Sequence, residues 1–256
     1  MSRVVVFDSG FGSLSIISAI QKVAKSEIIY FADQKHFPYG SKSVPELNKI
    51  IIDSISNLKR KFNPDLIVVA SNTPSLLLRK IFKNDNSLVG VLPPLRQAQK
   101  ITKTKSIAIL ATNSVVKSGS LRSYIKQNLT NDVQVVKIDA SELISLVECG
   151  LFIYNESFCI EKIKLLLEKK IQTKRIDVIT LSSTHLPFLL PILVKIFPDV
   201  KFLDPASIVA YAIKNNKLFS SSKKNSLKIF TSGNADKFQS FLHSIGIRNT
   251  VKRITF

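Results

Sequence analysis

A hydroxyl beside a carboxylate or an imidazole can take part in proton transfer, and this sequence offers two such groupings. Ser71-Asn72-Thr73 follows the apolar run Leu66–Ala70, and Ser182-Ser183-Thr184-His185 follows Val178–Leu181. Asp8-Ser9 ends the run Val4–Phe7, and Ala111-Thr112-Asn113 ends Ile107–Leu110. Asp8 reads as a helix N-cap, or as a group that serves Ser71 as base or orients an ammonium. His185 reads as a satisfied histidine near a helix start, or as the local partner of Ser183. Glu148 reads as a solvated helix residue, or as the carboxylate that orients a histidine. Asn72, Thr73, Thr112 and Thr184 are ordinary caps unless they converge. Converged donors suit a ligand carboxylate, as do free N–H groups at helix N-termini. The turn Pro38-Tyr39-Gly40 offers backbone N–H groups for the same purpose.

Elements must hold these groups in place. Short β-branched runs alternate with longer helical patterns, the rhythm of a parallel α/β sheet. The expected strands are Val4–Phe7, Ile28–Phe31, Leu66–Ala70, Val89–Leu92, Ile107–Leu110, Val133–Ile138, Val178–Leu181, Lys201–Leu203 and Leu227–Phe230. Helical patterns include Leu14–Val23, Val44–Phe62, Gly119–Gln127, Ser141–Glu148, Cys159–Lys170 and Ala235–His243. Sheets of this kind bind ligands at the carboxyl ends of their strands, where every grouping above falls. The strand-end motifs recur in the same order about a hundred residues apart. This predicts two pseudo-symmetric α/β domains with a cleft between them. Crossings near Pro93-Pro94 and Pro205 divide the chain into residues 1–93 plus 208–256, and 94–207. Phe219–Asn225, rich in Ser and Lys, reads as a surface loop.

The 256 residues are 45% hydrophobic and 21% charged, which excludes a disordered or fibrous chain. No run of about 18 uncharged apolar residues occurs, so no membrane helix is expected. The N-terminus lacks the pattern of a signal peptide, and the expected location is the cytoplasm. Cys149 and Cys159 are too isolated to suggest a metal site and are expected to be reduced and buried. Lys and Arg number 37 against 18 Asp and Glu, a net charge of +19. The basic residues are scattered along amphipathic segments without interleaved aromatics. They read as a solvated surface that draws small anions, with only nonspecific attraction for nucleic acid.

The loop Asp8-Ser9-Gly10-Phe11-Gly12-Ser13 lies between a strand and a helix, as in dinucleotide sites. Ser15 stands where the third glycine would be, and Asp8 puts a carboxylate where a pyrophosphate would lie, so a nucleotide is not expected. No G-x-S-x-G elbow supports a serine hydrolase built on Ser71 or Ser183. As a set, F-D-S-G-F-G-S-L at Phe7–Leu14, Y-F-A-D at Tyr30–Asp33, P-Y-G at Pro38–Gly40, S-N-T at Ser71–Thr73, L-V-E-C-G at Leu146–Gly150 and S-T-H-L-P at Ser183–Pro187 resemble glutamate racemase. V-K-S-G at Val116–Gly119 and T-S-G-N at Thr231–Asn234 extend the resemblance over nearly the whole chain.

The resemblance implies two α/β domains and an acidic amino acid as ligand, with no cofactor and no metal. It also implies two-base interconversion of L- and D-glutamate, one group removing the α-proton and another returning it on the opposite face. It assigns Ser71, Ser183, Asp8, His185 and Glu148 to the catalytic positions. Ser9, Pro38, Tyr39, Gly40, Asn72, Thr73, Thr112 and Thr184 fall at ligand-binding positions. A homodimer stays open. In the family both proton-transfer groups are cysteines, and here those positions are Ser71 and Ser183. A thiol titrates near 8.5 and a water-like hydroxyl near 15.7, a gap of about seven pK units or about 10 kcal/mol. Low or absent racemisation is therefore expected of the chain as it stands, which would make it an acidic-ligand binder. Smaller departures are Val115 for a threonine, Pro74 after S-N-T, and Leu186 for an aromatic residue.

Overall fold

The uncharged run Val4–Phe7 lies within strand β1 (Arg3–Asp8), and its four residues are fully buried. Such a strand must be covered on both faces, as parallel α/β sheets require. The structure, a computed structural model, describes residues 2–256. It continues through α1 (Ser13–Val23), β2 (Glu27–Ala32), α2 (Val44–Phe62), β3 (Leu66–Val69), α3 (Asn72–Leu77) and β4 (Leu88–Gly90). There follow α4 (Leu95–Ile101), β5 (Ser106–Ala111), α5 (Asn113–Lys117), α6 (Gly119–Asn128), β6 (Gln134–Asp139), α7 (Ser141–Glu148), α8 (Leu151–Tyr154), α9 (Glu156–Lys174), β7 (Val178–Leu181), α10 (Leu190–Ile196) and β8 (Lys201–Leu203). The chain closes with α11 (Ala206–Lys214), β9 (Ser226–Thr231), α12 (Ala235–Ser244) and β10 (Val251–Arg253).

Two units result. One contains the described residues up to Val91 together with Ala206–Phe256, and the other contains Leu92–Pro205. The first holds a six-stranded sheet in the order β10-β9-β2-β1-β3-β4, the second a four-stranded sheet in the order β6-β5-β7-β8. All neighbouring strands are parallel. The smaller sheet repeats the order of four consecutive strands of the larger one, ending at its β4 edge: β6, β5, β7 and β8 correspond to β2, β1, β3 and β4. The divides fall at Val91/Leu92 and Pro205/Ala206, where the proline pattern suggested 93/94 and 207/208.

Helix α2 shows how sequence makes these layers. Ser43 caps it by accepting from the Glu46 N–H, Pro45 lies in its first turn, and Asn63 closes it in the left-handed region at φ 43°. Leu47, Ile50, Ile51, Ile55 and Leu58 recur at helical spacing and pack with Val5, Phe7, Ile29, Phe31, Ile67 and Val69 of the sheet. Val4 and Val6 alternate to the other face and are equally buried. Fully burying each such side chain contributes about 1.5–3 kcal/mol.

Several elements depart from the sequence reading. Strand β4 is Leu88–Gly90 rather than Val89–Leu92, because pairing with Ile67–Val69 of β3 selects those three residues. Strand β10 has only Val251-Lys252-Arg253, too short and too charged to show in a pattern, and exists through its pairing with β9. Cys159 is buried, but Cys149 is exposed, contrary to expectation. It follows the last residue of α7 and precedes Gly150 at φ 72°, where the chain turns away from the buried helix face.

Candidate active site

Three neighbouring strands of the first unit end together. Asp8 pairs in register with Ala32 of β2, and the Ala70 N–H donates to the Phe7 carbonyl at 2.7 Å, so Asp8 and Ser71 leave adjacent strands side by side. Asp8 is 1% exposed and accepts from the Ser9 N–H at 2.7 Å. It does not cap α1, whose N-cap is Gly12. The Tyr39 N–H reaches Ser9 Oγ at 3.4 Å, and the Tyr39 hydroxyl donates to Asp33 Oδ2 at 2.9 Å. Burial, and after it the charges of Asp33 and Asp8, hold the Tyr39 phenol well above its usual range, so it remains a neutral donor. Pro38 and Gly40 flank it, and the Pro38 carbonyl accepts from the Ser41 N–H at 3.2 Å, which closes the turn.

Ser71 is the N-cap of α3 but makes no side-chain capping bond, and it is 8% exposed. Its backbone is pinned by Ser75, whose hydroxyl donates to the Ser71 carbonyl at 2.7 Å and accepts from the Val91 N–H at 2.9 Å. Asn72 donates from Nδ2 to the Val91 carbonyl at 3.2 Å. Its Oδ1 is buried and has no hydrogen-bond partner among the described residues. Thr73 is buried beside it.

The second unit repeats the arrangement. The Ser182 N–H donates to the Leu110 carbonyl at 2.8 Å, which aligns the exit of β7 with that of β5. Ser183, Thr184 and His185 are 7%, 2% and 5% exposed. His185 Nε2 meets Glu148 Oε1, the last residue of α7, at 2.5 Å. Thr112 stands at the N-cap position of α5 without a side-chain capping bond, and its Oγ1 lies 3.2 Å from Ser114 Oγ. The structure thus gathers Asp8, Ser9, Tyr39, Ser71, Asn72 and Thr73 at one sheet's carboxyl edge. It ties Glu148 to His185, with Ser183, Thr184 and Thr112 at the carboxyl edge of the other. No group of three or more His, Cys, Asp or Glu among the described residues could hold a metal ion.

Sequence reasoning gave no role to the groups that brace Tyr39. Asp33, 2% exposed, also meets His36 Nδ1 at 2.8 Å and accepts from Ser232 Oγ at 3.1 Å. The available signals were Asp33 at a strand end and T-S-G-N after β9. Ser75 gave no signal, since one more serine after S-N-T-P looks like any helix residue.

No family model matches the chain. It is 32% identical over 241 residues to glutamate racemase 2 of Caldanaerobacter subterraneus subsp. tengcongensis, covering 91% of this chain and 89% of that protein. In fold it is similar to a glutamate racemase isoform of Bacillus anthracis, with a TM-score of 0.88 at 24% identity over 100% of this chain and 98% of that one. It is also similar to the Escherichia coli glutamate racemase, with a TM-score of 0.85 at 23% identity over 99% and 98%. With strand ends so arranged and a relative so similar over nearly its full length, the chain belongs to the glutamate racemase family.

Proposed function

We propose that the chain binds an acidic amino acid at the carboxyl ends of its strands, and that Ser71 and Ser183 stand where the family takes and returns the α-proton. The observation that carries this reading is the repeated sheet order. Ser71 follows the strand beside β1 and Ser183 the strand beside β5, each with an ionisable neighbour. Asp8 serves the first hydroxyl, and His185 backed by Glu148 serves the second. The buried, unpartnered Oδ1 of Asn72 is an acceptor that a ligand ammonium would satisfy. Hydroxyls and N–H groups at Ser9, Thr73, Thr112, Thr184 and the Tyr39–Gly40 turn suit the carboxylates. The Escherichia coli relative was solved with L-glutamate and the activator UDP-MurNAc-ala, which supports an acidic amino acid as the ligand here.

The two serines decide the rate. A positioned base can assist a hydroxyl by about 10²–10⁴-fold, while the deficit of about seven pK units against a thiol is far larger. The chain is expected to bind glutamate and exchange its α-proton very slowly. Solvent deuterium entering the α-position of L- and D-glutamate measures this directly. Ser71→Cys combined with Ser183→Cys should raise exchange by orders of magnitude, and either change alone much less, because one turnover needs both an acid and a base. Rapid exchange by the serine chain, or an inert double-cysteine form, would refute the assignment.

A further inference from the structure

A cavity of about 460 Å³ lies within the first unit, between α2 and the ends of β2, β9 and the C-terminal segment. It contains none of Asp8, Ser9, Tyr39 or Ser71–Thr73, but Asp33, His36 and Ser232, the groups that brace Tyr39, form part of its wall. Its size falls within the roughly 300–1,000 Å³ of small-molecule sites. The apolar part is Phe31, Ile50 and Phe256, with the Phe256 ring edge-on to Phe31 at 5.4 Å. Around this surface the charges alternate in sign. Glu46, Lys49 and Asp53 recur at i, i+3 and i+7 along one face of α2. Lys35 and His36 line the cavity from the loop after β2.

A dianion would meet Glu46 and Asp53, and a simple cation would meet Lys35 and Lys49. Neither Lys49 nor Asp53 has an ion-pair partner among the described residues. Asp33 and Glu46 already face His36 and Lys42, so a molecule carrying both signs on an apolar body matches the two charges left over, Lys49 and Asp53. We propose that this cavity is a second small-molecule site, for a zwitterion with an apolar side chain, the chemistry of a free apolar amino acid. Lys49 with Lys35 takes the carboxylate, Asp53 takes the ammonium, and Phe31, Ile50 and Phe256 take the side chain.

The test titrates the full chain with L-phenylalanine, 3-phenylpropionate and phenethylamine and follows amide chemical shifts by NMR. The expected result is saturable phenylalanine binding centred on α2, at least ten-fold tighter than either analogue lacking one charged end. Lys49→Gln and Asp53→Asn should each weaken phenylalanine several-fold. Both positions are exposed on α2, so the variants should melt with the parent. Equal binding of the three probes, no saturation, indifference to both substitutions, or displacement of phenylalanine by L-glutamate would overturn the proposal.

Discussion

A carboxylate accepts only from a protonated nitrogen, so the Glu148–His185 contact at 2.5 Å places the ring hydrogen on Nε2 and the basic lone pair of the neutral ring on Nδ1. Glu148 therefore acts on His185 by fixing its tautomer and orientation. In the double-cysteine background, Glu148→Gln is expected to lower turnover by about 10²-fold, the low end of what a positioned acid–base group contributes, with KM changed far less. Steady-state kinetics in both directions checks this. An unchanged kcat would reduce the contact to packing. The Cys149 thiol, next in sequence, is exposed, so its substitution by serine should leave the same kinetics intact.

At the scale of elements, Ser75 joins three of them. Its hydroxyl meets the carbonyls of Val69 and Ser71 and the N–H of Val91, tying β3, α3 and the exit of β4 together. Gly90 belongs to the same contact, since a Cβ there would lie 3.0 Å from Ser75 Oγ. Ser75→Ala leaves the buried Val91 N–H unsatisfied and should cost about 1–3 kcal/mol in urea unfolding. Unchanged stability would show that another group takes the N–H. Asp85, in the connection before β4, receives the Lys59 ammonium of α2 at 2.7 Å and is also bonded by Ser87. These contacts, Lys59 first, lower its carboxyl from the ordinary 3.8 to about 2. A folded value below the unfolded one means stabilisation that is complete above pH 3.8 and lost as pH falls through about 2. The stability difference between the parent and Asp85→Asn should accordingly shrink toward zero from pH 4 to pH 2. A constant difference over that range would contradict the ion pair.

For the molecule as a whole, the +19 charge is the largest long-range term. Both units carry cations that are paired with acids, Lys59 and Lys228 in the first and Lys105, Lys162 and Lys195 in the second. Duplex DNA should bind weakly and without sequence preference, with affinity falling steeply between low and physiological salt by counterion release. Glutamate affinity should fall only modestly over the same range, because the partners proposed for it are mostly buried polar groups. Filter binding and calorimetry across a salt series separate the two. Sub-micromolar, sequence-selective DNA binding at physiological salt would overturn the reading of the charge as a solvated surface.

The central strands and long helices were legible in the sequence because apolar periodicity is a local property. Val4–Phe7, Val178–Leu181 and Val44–Phe62 can be buried in few other ways. The strand-end groups were legible too, since parallel α/β topology sends every strand's carboxyl end to one edge, and the repeat of S-N-T by S-T-H along the chain announced the matching order of the two sheets. Tertiary structure alone decided the rest. Strands β4 and β10 take their bounds from partners about 20 residues away, Cys149 owes its exposure to the turn at Gly150, and Asp33 meets Ser232 across 199 residues. A pairing or a hydrogen bond between distant segments has no local pattern, so only the folded chain could bring Ser232 to the Asp33 carboxylate that His36 and Tyr39 also meet.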